Sequence, residues 1–146
     1  MRGNFDTSIS LWIARHALLV WLGIFLNILF IVPLFLWPRW MLDLFNIPLD
    51  QLIWARCAAG LLAIISTFYV PATIDFGRYR VFAYLSIFPS RTFGATFFFL
   101  AVTIFGQPAG FLSISLVDAL IGSTTLYCLI RIAALERAQR RHEATR

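Results

Sequence analysis

Residues 113–130 read SISLVDALIGSTTLYCLI, and within this apolar run stands one carboxylate, Asp118. An ionised carboxylate left facing lipid at the centre of a spanning helix costs ~3 kcal/mol or more, so Asp118 must turn toward other protein. There it has two uses. It pairs with a cation and joins helices, or it lines a polar pocket that holds a ligand head or a proton. Three other residues bear on the choice: Arg56 and Asn27, both inside apolar runs, and Arg91, at the start of another.

Other chemistry is poorly served. His16 and His142 lie outside the apolar runs, so no histidine pair can ligate haem, and a metal site is not expected. Cys57 and Cys128 form no CxxC and fall near opposite ends of their runs, roughly 20 Å apart in depth, too far for a disulfide. No nucleophile–base pair, carboxylate cluster or glycine-rich phosphate loop is present, so an enzyme is not expected, nor a cofactor.

The elements that must position these residues are set by composition. Of 146 residues, 60% are hydrophobic and 13% charged, against ~45–50% and ~25% in soluble domains. The length gives one domain, residues 1–146, and the apolar residues fall in four blocks, about 18–36, 53–70, 87–105 and 111–130. Each approaches the ~20 residues that a ~30 Å hydrocarbon layer requires. The fold expected is an all-α membrane protein, a bundle of four transmembrane helices. A signal peptide is the rival reading of the first block, but no small-x-small cleavage site follows it.

All twelve basic residues are arginine. With the N-terminus inside, ten lie on the cytoplasmic side and only Arg39 and Arg56 on the other, which places both termini in the cytoplasm. Five of the ten occupy the tail, residues 131–146, the pattern of a flank facing anionic lipid rather than nucleic acid. Trp12 and Trp21 then mark the inner interface, and Trp37, Trp40 and Trp54 the outer one.

The first outer loop, WPRWMLDLFNIPLDQLIW, predicts a short interfacial helix that starts at Pro38 and ends at Asn46, before Pro48. The inner loop PATIDFGRYR reads as a polar turn. Beyond Ile130 the last helix should continue, with Glu136 and Arg140 spaced for an i,i+4 pair.

Depth selects a partner for Asp118. Counted from the outer ends of these spans, Asp118 lies ~10 Å down and Arg56 ~5 Å. Arg91, in the first turn of the third span, is ~15 Å away and reads as an inner-interface anchor whose side chain snorkels to headgroups. An Arg56–Asp118 ion pair is therefore expected, with Asn27 beside it. On the last span, Ser115, Ala119 and Ser123 form a small-residue stripe, and Asp118, Gly122 and Thr125 a neighbouring strip.

A wider pattern is visible. WPRWMLDLFNIP precedes WARCAAGLLAIISTFYVPATIDFGRYR and then SRTFGATFFFLAV, with Arg56 and Gly60 opening the second span and Arg91 and Gly94 the third. This order resembles the DoxX-like group of small four-helix bacterial membrane proteins. The resemblance implies a four-helix bundle and, for some members, a role as membrane partner of oxidoreductases linked to quinone.

Two functions are expected on these grounds. The first is a non-catalytic integral membrane subunit or accessory protein of a larger inner-membrane assembly of the electron-transfer type, with other membrane subunits as partners. The alternative is a binder or carrier of a lipid, quinone or small solute that uses the intramembrane Arg/Asp pocket. The location expected is the bacterial inner membrane, to which the all-arginine, alanine-rich usage also points.

Overall fold

The computed structural model describes residues 2–145, with side chains from Asp6 onward. Its elements are α1 (Arg2–Leu36), α2 (Pro38–Leu44), α3 (Leu52–Tyr69), α4 (Pro71–Ile74), α5 (Arg80–Leu85), a kinked turn (Ser86–Arg91), α6 (Thr92–Thr103) and α7 (Phe111–Ala144). No strand occurs among the described residues. Four stretches are long and apolar enough to cross a membrane: Asp6–Leu36, Leu52–Ile74, Arg80–Thr103 and Phe111–Ala144.

The helices α1 and α7 run for 35 and 34 residues, about 50 Å each, well beyond a ~30 Å hydrocarbon layer. Their projecting parts lie together, because Gln139 Nε2 donates to Asp6 Oδ1 at 3.1 Å. At this same end the guanidinium groups of Arg15 and Arg131 lie 4.7 and 5.5 Å from the Trp12 ring centre. Arg80 pairs with Glu136 at 2.8 Å. Glu136 is thus held by the third span rather than by Arg140, one helical turn away on its own helix.

The loop after α3 is not the polar turn its sequence predicts. Ala72 and Phe76 are buried and pack with Ala83, Ile87, Leu129 and Ile132 in the largest apolar cluster of the fold. Asp75 Oδ1 accepts from the backbone N–H of Arg78 and closes the turn, which turns Phe76 inward while the charges stay out. His16 sits edge-on to Phe76, with ring centres 5.3 Å apart, fully buried.

At the opposite end α2 forms where expected. Pro38 occupies its first turn, and Asn46 takes the left-handed conformation (φ 52°) just past its end. Met41 and Leu42 point into the bundle, while Trp37, Trp40 and Leu44 are exposed.

The third span departs furthest from its reading. It begins at Arg80, not Ile87, and is interrupted: the backbone leaves helical geometry at Phe88 (φ −114°, ψ 113°), beside a cis Phe88–Pro89 peptide. Side chains satisfy the carbonyls near the break. Ser86 Oγ donates to Ala83 O at 2.8 Å, and Thr92 Oγ1 to Ile87 O at 3.0 Å. Broken helix at membrane depth is tolerated where it is buried in protein or lines a cavity.

Candidate functional site

The early start at Arg80 moves Arg91 from a helix end to the middle of the span Arg80–Thr103, just past the break. The side chain does not snorkel. It is 6% exposed, and its Nη1 donates to Asp118 Oδ1 at 2.5 Å. The expected Arg56–Asp118 pair does not form: Arg56 Nε donates instead to the carbonyl of Phe35, at 3.2 Å, near the other end of the bundle. The depth count failed because it started the third span seven residues too late, which placed Arg91 ~10 Å too shallow.

The pair sits in a space cleared by glycine on three helices. A Cβ on Gly94 would lie 1.9 Å from Asp118 Oδ2, one on Gly23 2.7 Å from an Arg91 guanidinium nitrogen, and one on Gly122 3.1 Å from Arg91 Cβ. A methyl group at Gly94 or Gly23 would force the pair to shift and one at Gly122 would crowd it, and the three positions come from α6, α1 and α7. Gly94, three residues after Arg91 at the opening of α6, therefore serves the carboxylate directly.

Other polar groups converge here. The Arg91 guanidinium lies 5.8 Å from the Tyr69 ring centre, and the Tyr69 hydroxyl hydrogen-bonds the Ser90 hydroxyl. Asn27 Nδ2 donates to Ser66 Oγ at 2.9 Å, which donates onward to Leu62 O. Ser115 Oγ donates to Ala95 O at 2.7 Å and ties α7 to α6. Of the small-residue stripe only Ser115 is buried. Ala119 and Ser123 are exposed, and the strip Asp118, Gly122, Thr125 faces the protein instead.

These groups border a cavity of about 270 Å³. Asn27, Tyr69, Ser90, Arg91 and Asp118 supply its polar wall, and Phe30, Leu34, Leu62, Phe93, Phe98 and Ile114 much of the rest. Asn27 and Asp118 thus border one cavity, with Arg91 rather than Arg56 beside the carboxylate. A small void of about 10 Å³ lies on the other side of Arg91, lined in part by Ser86 and Thr125. The Thr125 hydroxyl, buried without a protein partner, faces room for one water.

Sequence reasoning missed Tyr69, Ser90 and Ser66, and it put His16 outside the first span, whereas His16 is buried within Asp6–Leu36. Ser90 and Ser66 carry no charge, and nothing in their spacing separates them from lipid-facing serines. Tyr69 was visible as a tyrosine closing the second span. Both His16 ring nitrogens are buried without a protein partner.

A cavity between helices, mostly apolar and with convergent polar groups, is the form that small-molecule sites take. Fold and site together define a helical, multi-span protein with a charged pair facing an internal pocket. No family model matches the chain, and no curated protein or solved structure matches it.

Proposed function

We propose that this protein binds a small amphiphile, a lipid or quinone among them, whose polar head sits against Arg91 and Asp118 inside the four-helix bundle. The observation that carries the reading is that the ion pair borders an open cavity of about 270 Å³. A pair kept only to join two helices would be packed over on all sides, because interiors close to near-crystalline density. Here an arginine with further N–H groups to donate, a carboxylate, two hydroxyls and an amide face the same space. The interrupted third span supports the reading, since discontinuous spanning helices recur at binding sites.

In this proposal the protein lies in the bacterial inner membrane with both termini in the cytoplasm, α2 rests at the outer interface, and the kinship is with the DoxX-like group. Membership of a larger electron-transfer assembly is a separate proposal. It is supported by the exposed, stacked Phe93 and Phe97 on α6, which offer an aromatic face to a neighbouring helix. Stoichiometric co-elution of other membrane subunits after mild detergent extraction is its test.

The pocket is tested by filling it without touching the pair. Val117 lines the cavity beside Asp118. Val117→Phe should leave thermal stability within a few degrees of wild type, and should lower the yield of co-purifying amphiphile, measured by mass spectrometry of extracts, at least tenfold. Unchanged ligand content in a folded Val117→Phe protein would show that the ligand sits elsewhere.

A further inference from the structure

A four-helix bundle that closes on itself packs each span on two neighbours. Here α1 packs on α3 and α7, and α7 packs on α6, while α3 and α6 share no comparable interface. The order α3–α1–α7–α6 is an open ring. The Tyr69–Ser90 hydroxyl contact crosses its gap and joins the end of α3 to the kinked turn before α6.

A second cavity, about 570 Å³, lies along this seam. It shares Ile65, Tyr69, Ser90 and Phe93 with the inner pocket, so the two spaces meet at the residues that bridge the gap. Its remaining wall is Phe68, Phe82, Leu85 and Pro89. Phe68 and Leu85 are 57% and 46% exposed, on faces that a bilayer would cover with acyl chains. The outer space is thus an apolar groove on the lipid-facing side, adjoining a polar pocket behind it, with the Tyr69–Ser90 contact in the wall they share.

The geometry points to a lateral portal between α3 and the third span that admits a single-chain amphiphile with a neutral, hydrogen-bonding head. The head rests against Arg91 and Asp118, and the hydrocarbon chain lies in the groove of Phe68, Phe82 and Leu85. This rests on the pocket reading above and adds the ligand's shape and route. A neutral head follows from the pair, whose two charges already compensate each other. A charged head would bring an extra unpaired charge into low dielectric. A hydroxyl or carbonyl head instead meets guanidinium N–H donors and carboxylate acceptors. A single chain follows from the groove, one slot that adjoins the pocket at one place. Ring hydroxyls of a quinol and the hydroxyls of a monoacylglycerol share this chemistry.

The test compares tailed and tail-free probes. Wild-type protein in phosphatidylcholine nanodiscs is titrated with decyl-benzoquinol, its methyl-only analogue and monodecanoylglycerol, and then the titrations are repeated with Leu85→Trp. Leu85 borders the groove and not the inner pocket, and its exposure leaves space for the indole. Each probe is compared between proteins, so partition into the bilayer cancels. The expected result is at least a fivefold loss of affinity for the decyl probe that binds, with the methyl analogue unchanged. Binding of either decyl probe supports the shared head chemistry and identifies its source. Equal affinities of Leu85→Trp and wild type for the decyl probes, or equal losses for tailed and tail-free rings, would overturn the tail groove and leave the pocket standing. Failure of every probe to bind wild-type protein would remove the pocket reading and the portal together.

Discussion

A carboxylate amid lipid-compatible residues has few stable surroundings, and Asp118 finds its own where glycines of three helices clear the space around its pair with Arg91. Gly94 shows this best: its missing side chain is the space that Asp118 Oδ2 occupies. Gly94→Ala should displace the carboxylate from Arg91 and destabilise the fold by ~1–3 kcal/mol, the usual range for overpacking, despite the better helix propensity of alanine. Gly60, on α3, is the contrast, because a methyl group there would meet no neighbouring atom within 4 Å. Gly60→Ala should therefore be neutral or up to ~1 kcal/mol stabilising. Thermal unfolding of both variants in one detergent measures the difference, and similar melting temperatures would refute the cradle.

At the scale of elements, the four apolar blocks and the short α2 were legible because their signals are local: block length, Pro38 at a helix start, Asn46 at its end. The third span was not. Its early part, Arg80–Leu85, follows directly on the polar stretch PATIDFGRYR, and only packing of Ala83 and Ile87 against Leu129 and Ile132 draws it into the bundle. The same seven-residue error misassigned the partner of Asp118. A double-mutant cycle separates the two pairings. Arg91→Met and Asp118→Leu should each cost about 3–5 kcal/mol, since each strands a buried charge, while the double variant should lose far less than the sum. Arg56→Met combined with Asp118→Leu should be additive within about 0.5 kcal/mol. Additivity in the Arg91 cycle would mean that the break in the third span does not deliver Arg91 to α7.

Over the whole molecule, the asymmetry of arginine and the asymmetry of shape coincide. The projecting ends of α1 and α7 meet through Asp6 and Gln139, and around them gather Arg15, Arg78, Arg80, Arg131 and Arg137, while Arg39 and Arg56 belong to the end that carries α2. That both termini share one end is geometry. That this end is cytoplasmic is a prediction from charge, because anionic lipid and the insertion machinery retain arginine-rich flanks on the inner side. A thiol-reactive, membrane-impermeant reagent applied to intact cells reads the answer. With Cys57→Ser and Cys128→Ser as background, a cysteine at exposed Leu44 on α2 should label, and one at exposed Arg137 on α7 should label only after the membrane is opened. The reverse pattern would put the collar of arginines outside and leave the charge asymmetry without a cause. The expected pattern also orients the proposed site. The bridge between Tyr69 and Ser90 then lies on the cytoplasmic side of the pocket, since α3 runs from the α2 end and Tyr69 is its last residue. An amphiphile using the seam would therefore come from the inner leaflet.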